Sequence, residues 1–197
     1  MRPVWDVLVW IVLPLWAVCG FLDYLCHRKS HIERASGITE SLIHWLMLAE
    51  AMLAVGLALF LKIDALVLAL LLVLLVSHEV SGYYDLRLAI STRRVTIIEH
   101  QIHSALEILP LCALLLVMIL HWPQTEALVG WGRERADFSF ESKQAPRLAE
   151  LLPPLAVFLL LGLLPYLEEL ARGLRSGALR KPSPEPQPGA ILGRDPA

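Results

Sequence analysis

The chain has 197 residues, of which 56% are hydrophobic and 18% charged, with a net charge of −2 and a mean hydropathy of +0.59. So apolar a composition lies outside the range of soluble domains and points to an integral membrane protein, while the small negative charge excludes a nucleic-acid partner. Cys19, Cys26 and Cys112 have no paired spacing, which excludes a disulfide framework or a thiolate zinc site and leaves them as buried packing residues.

A helix crosses a bilayer with about 20 mostly apolar residues, and five stretches meet that length: 4–27, 42–61, 65–84, 102–122 and 148–171. The first is too long and too interrupted by Asp6 for a cleaved signal peptide, and Pro14 kinks it. The second and third form a hairpin through Lys62 and Asp64. The fourth contains Pro110, which frees a carbonyl and bends it. A long polar loop at 123–147, with Trp131, Phe138 and Phe140, forms a cap on the outer surface. The fifth stretch carries Pro153, Pro154 and Pro165 but no histidine; Glu168 and Glu169 stand at its end without a neighbouring ligand, so it is a packing helix. The proline-rich tail at 181–197 is a disordered extension. The expected fold is therefore all-α and membrane-integral: residues 1–175 form an antiparallel four-helix transmembrane bundle plus a fifth transmembrane helix.

Lysine and arginine are enriched on cytoplasmic flanks. An external N-terminus places eleven of them inside and six outside. The expected topology is thus N-terminus out and C-terminus in, in a membrane of the bacterial inner type. Arg87, Arg93 and Arg94 are topology determinants and lipid-headgroup contacts, with the anionic head of a substrate as a second option. Tyr83 and Tyr84 form part of an aromatic belt.

This topology brings the polar helix ends to one face. Six of seven histidines gather there, with His121 left at the opposite interface. The first helix contributes Asp23, His27 and His31; the second, Glu40 and His44; the third, His78 and Asp85; the fourth, Glu99, His100, His103 and Glu107. Residues three, four or seven apart share a helix face, which groups Asp23 with His27 and His31, His78 with Asp85, and His100 with His103 and Glu107. Glu50 and Glu79 lie off these stripes. Glu40-Ser-Leu-Ile-His44 and Glu99-His-Gln-Ile-His103 repeat one pattern on equivalent helices, as two half-sites about a pseudo-twofold axis would. Ionisable groups are costly near hydrocarbon, and a metal ion is the most economical compensation for so many.

Imidazoles and carboxylates without thiolates suit iron, manganese or zinc, and eleven candidate ligands exceed the needs of one tetrahedral ion. Two metal ions are expected, iron first and zinc as the alternative. His27-Arg-Lys-Ser-His31 and His100-Gln-Ile-His103 make the layout similar to the histidine boxes of membrane fatty-acid desaturases and hydroxylases, although Ser104 stands where those boxes double the histidine. The layout also resembles ferritin-like di-iron carboxylate bundles, with E-x-x-x-H in place of their E-x-x-H. These resemblances imply a non-haem di-iron oxygenase that oxidises a lipid-soluble or amphipathic substrate with O2 and electrons from a cytoplasmic donor. Three other readings stay open: a zinc-dependent membrane hydrolase, a b-type haem carrier ligated by two histidines such as His44 and His103, and a non-enzymatic metal-binding protein.

Overall fold

The computed structural model describes residues 2–143, 152–153 and 156–176. Within them the long helices are α1 (Arg2–Ser30), α3 (Ile38–Phe60), α4 (Ala65–Thr92) and α5 (Ile97–Leu120), joined to shorter α2 (Ile32–Ala35), α6 (Trp122–Leu128) and α7 (Leu164–Arg175). Among the described residues there is no β-strand, only an isolated bridge between Leu61 and Ser142. The four long helices are each long and apolar enough to cross a membrane. Their surfaces agree: Leu53, Val73, Val76, Leu115 and Ile119 are exposed while acids and histidines are buried, the inverse of a soluble protein. The expected fifth span falls partly outside the described residues, at 148–151 and 154–155, as do residues 144–147 of the outer loop and the whole 181–197 tail.

Each long helix overruns its expected apolar segment at the polar end. α1 continues past 27, α3 begins before 42, α4 continues from 84 to Thr92 and α5 begins at Ile97 rather than 102. The bilayer sets the apolar length, but backbone hydrogen bonding continues wherever neighbouring helices cover the next turns. These extra turns carry Glu40, Asp85 and Glu99.

Local chemistry explains the breaks. Pro14 has no N–H to offer the Trp10 carbonyl, and the turn before it, Leu8–Val12, widens to a π-helix closed by the Leu13 N–H on the Leu8 carbonyl. Pro165 repeats the arrangement: Leu159–Leu163 is π-helical and closes with the Leu164 N–H on the Leu159 carbonyl. α1 stops where His31 turns left-handed (φ 52°, ψ 51°). α3 starts after Gly37 (φ 68°, ψ −140°), a backbone conformation essentially reserved for glycine.

α3 packs on α4, α1 on α5, α4 on α5, and α7 against α1 and α3. The apolar core, including Leu8, Val12, Leu68, Leu71, Leu114 and Val117, fills the half of the molecule nearest the α3–α4 turn. The loop after α6 is tied across that turn. Lys62 donates to Asp137 and Glu141, and these contacts, with those from Ser139, hold the Asp137 carboxyl down at about 2. A depressed carboxyl favours the ordered loop above the ordinary carboxylate range, and that contribution disappears as pH falls toward 2.

Asp64 starts α4. Fully buried, it accepts from the Val67 N–H at 3.0 Å, and its second oxygen accepts from Ser139 at 3.4 Å. Asp64→Ala is expected to cost about 1 kcal/mol, seen as a lowered thermal midpoint in detergent with metal content retained. An unchanged midpoint would show that the cap contributes nothing.

Candidate metal centre

Three helices present an acid one turn before a histidine: Asp23 and His27 on α1, Glu40 and His44 on α3, Glu99 and His103 on α5. This i, i+4 spacing puts both side chains on one helix face at adjacent depths. α4 adds Asp85 and α7 adds Glu169. All eight residues are buried; the five carboxylates are no more than 2% exposed.

The three imidazoles and three of the acids form a closed ring. Asp23 Oδ1 lies 3.3 Å from His27 Nε2 and 3.1 Å from His103 Nε2. Asp85 links His103 to His44, with Oδ2 3.8 Å from His103 Nδ1 and Oδ1 3.0 Å from His44 Nε2. Glu169 closes the circuit, 2.8 Å from His44 Nδ1 and 3.2 Å from His27 Nδ1. The His27 and His44 rings stack, centroids 4.6 Å apart and planes within 6°. Glu40 and Glu99 flank the ring at 3.8 and 3.7 Å from His27 Nε2.

Glu169 sets the function of the two stacked rings. A carboxylate only accepts, so Nδ1 of His27 and of His44 must each donate to it, which leaves both Nε2 lone pairs directed into the cluster. A carboxylate behind the distal nitrogen is the arrangement that orients metal-bound histidines. The inward atoms Asp23 Oδ1, His27 Nε2, His44 Nε2, Asp85 Oδ1 and His103 Nε2 have only one another as close polar neighbours among the described residues, whereas Glu99 Oε1 also meets the Arg93 guanidinium. The neighbouring pairs among these five, 3.0 to 3.3 Å apart, match the edges of a coordination polyhedron, about 3.0 Å octahedral or about 3.4 Å tetrahedral for bonds of about 2.1 Å. Two sets have ligand atoms all within 4.8 Å of one another: Asp23, His27, Glu99 and His103, and His27, Glu40 and His44. These groups could hold a metal ion. No family model, curated protein or solved structure matches the chain, so the site has to be read from its own chemistry.

The surroundings hold the acids in place. Thr96 and Glu99 form a capping box at the start of α5: Thr96 accepts from the Glu99 N–H, and Glu99 Oε2 accepts from the Thr96 N–H, so Oε1 turns inward. Arg93 bridges Glu40 and Glu99 at 2.7 and 2.6 Å, and Ser36 donates to the second Glu40 oxygen. α7 is fixed in rotation by Glu168, which accepts from Tyr24 and Arg28, and by Arg172 beside Glu33. Gly173 packs against Ile38 and Ser41 of α3 with room for a Cβ in ordinary contact.

Of the eleven sequence-derived candidates, the structure gathers seven: Asp23, His27, Glu40, His44, Asp85, Glu99 and His103. It places the other four elsewhere. His31 is exposed because its left-handed backbone ends α1 and takes it off the Asp23–His27 stripe; it lies 3.3 Å from Glu33. His100 is exposed because the cap points Glu99 inward, and the next residue along a helix faces about 100° away. His78, two turns from Asp85, lies in a separate polar layer with Glu50, which the helical stripes had left aside. Glu107, one turn beyond His103, reaches over Gly82 toward that layer.

Two corrections follow. Glu169, read as lacking a neighbouring ligand, contacts two histidines, and Arg93, read as a headgroup contact, is buried between two acids. Glu169 had a sequence signal, since Pro165, Glu169 and Gly173 recur every four residues and form the buried stripe of α7. For Arg93 the signal is the T-x-x-E cap that brings Glu99 beside it.

Glu169→Gln is expected to weaken metal retention about 10- to 100-fold during chelator dialysis, because an amide cannot accept from both Nδ1–H groups. His31→Ala and His100→Ala are expected to retain metal as the unmodified protein does. Elemental analysis of folded, detergent-solubilised protein checks all three; loss of metal in either histidine variant would overturn the assignment.

Proposed function

We propose that the protein is a membrane-embedded di-metal oxidoreductase, with two iron ions that use O2 to oxidise a lipid-soluble or amphipathic substrate. One observation carries this reading: buried charge that the described residues do not balance. Asp23, Glu40, Asp85, Glu99 and Glu169 set five negative charges against the single guanidinium of Arg93, a deficit of four that two divalent cations neutralise with all three imidazoles uncharged. Uncompensated carboxylates in a low-dielectric interior cost several kcal/mol each.

The donor set supports iron. It offers nitrogen and oxygen without thiolate, more ligands than a tetrahedral ion accepts, and carboxylates placed between histidines of different helices, as bridges between two metals require. His27 belongs to both ligand sets, but with Nδ1 donating to Glu169 its one lone pair, on Nε2, serves a single ion, so the second ion would rest on the remaining histidines and carboxylates. The protein's own contribution would be orientation by Glu169, charge balance by Arg93, and exclusion of water by the surrounding helices. In this proposal the N-terminus is external, α7 belongs to a fifth span, and the centre lies near the cytoplasmic face of a bacterial inner membrane, within reach of a soluble electron donor.

A zinc hydrolase is the second reading, favoured by the three-ligand set His27, Glu40 and His44, which is the number a catalytic zinc uses while keeping one position for water.

Elemental analysis of the purified full chain is expected to give about two irons per chain, with His27→Ala, His44→Ala or His103→Ala each losing about one. Stoichiometric zinc would instead favour the hydrolase reading, and folded protein that stays metal-free after reconstitution with ferrous iron and, separately, with zinc would refute both.

A further inference from the structure

One turn-pair along α4 from the metal centre lies a second polar layer that no part of the proposed chemistry uses. His78 and Glu50 are each 7% exposed, with His78 Nδ1 3.5 Å from Glu50 Oε2. Glu50 Oε1 is occupied, accepting from Ser77 at 2.5 Å and Ser81 at 3.2 Å. Glu50 Oε2 and both ring nitrogens of His78 make no hydrogen bond with the described residues. Trp16 meets the His78 ring edge-on at 5.9 Å.

These two residues form one polar end of a mainly apolar cavity of about 140 Å³ between α1, α3, α4 and α5, lined by Leu8, Trp16, Ala54, Leu75, Ala113 and Val117 among others, with His121 and Lys143 also in its wall. A void of about 150 Å³ with aliphatic walls takes up a benzene-sized molecule. Hydrocarbon alone would fill the volume and leave three buried polar atoms unpaired. A carbonyl only accepts and would leave Glu50 unpaired, whereas an ammonium only donates and would leave an imidazole N–H unpaired. A hydroxyl does both at once, pairing Glu50 Oε2 and one ring nitrogen of His78.

We infer that this cavity is a ligand site for a neutral, lipid-soluble alcohol or phenol, its hydroxyl donating to Glu50 and accepting from His78 while an apolar body of about six heavy atoms lies between the helices. The site goes beyond the metal chemistry and does not depend on it. His78 and Asp85 are seven residues apart on one face of α4, about 10 Å along the axis, so the bound hydroxyl neighbours the centre without ligating it.

Trp16 provides the readout. The full-length protein in detergent micelles is titrated with 6-bromohexan-1-ol and, separately, with 1-bromohexane, whose bromine quenches nearby indoles. The alcohol is expected to quench saturably, at least tenfold more tightly than the alkane, and hexan-1-ol is expected to compete. Trp16→Phe together with Trp5→Phe, the two indoles in the cavity wall, should remove the saturable component, His78→Leu and Glu50→Leu should erase the preference for the alcohol, and Ala113→Phe should block the cavity, with Ala54→Leu as the alternative filling should that variant fail to fold. Metal content measured on the same samples should stay unchanged in His78→Leu. Equal, non-saturable quenching by both probes, or an alcohol preference that survives His78→Leu and Glu50→Leu together, would reduce the effect to partition into the micelle and overturn the proposal, whatever the metal analysis gives.

Discussion

The architecture depends on the desolvation of negative charge. Five carboxylates are buried between apolar helices, where each would be unstable without a compensating donor or cation. The ring of Asp23, His103, Asp85, His44, Glu169 and His27 gives these charges shared neighbours without balancing them, since every acid in it faces two imidazoles and every imidazole two acids. Moving any member disturbs two neighbours on different helices. The polar ring thereby fixes helix rotation and register, which apolar packing in lipid specifies only weakly.

Secondary structure serves the same constraint. The long helices continue several turns past their apolar segments, and those turns supply the acids. Where a helix must end, the chain uses inexpensive local devices: a left-handed residue at His31, glycine at Gly37, and the Thr96–Glu99 box, which doubles as the means of aiming Glu99 inward. Of the two prolines that follow π-helical turns, Pro14 lies more than two turns from Asp23 along α1, whereas Pro165 lies one turn from Glu169, on the same buried stripe of α7. α7 is short and amphipathic, yet it contributes the carboxylate that orients two histidines. Its position rests on Glu168 and Arg172 near the surface and on the packing of Gly173 against α3.

Polar groups are also layered along the axis. The ring occupies one level, with Arg93 above it sealing Glu40 to Glu99, and His78 with Glu50 occupies another about two turns away. Beyond that second layer the interior is apolar, with a cavity between the helices. Such layering lets one bundle keep a strongly charged site and a hydrophobic pocket adjacent without mixing their solvation.

Composition and hydropathy alone determined the helical class and the four long apolar helices, because the demand of a bilayer for about 20 apolar residues is one-dimensional and can be read along the chain. Acid–histidine pairs at i, i+4 were legible for the same reason: helical periodicity places Asp23 with His27, Glu40 with His44 and Glu99 with His103 whatever the fold. Periodicity offers several such stripes, however, and the choice among them is not local. The left-handed turn at His31, the capping box that faces His100 outward, and the depth difference that separates His78 from Asp85 were settled by backbone geometry at helix ends and by which helices touch. Glu169 and Arg93 belong to the site only because α7 lies across α1 and α3 and the chain turns back after α4. Apart from the local pair Arg93 and Glu99, those contacts join residues more than fifty positions apart, and only the tertiary structure, where distance in space replaces distance in sequence, decides them.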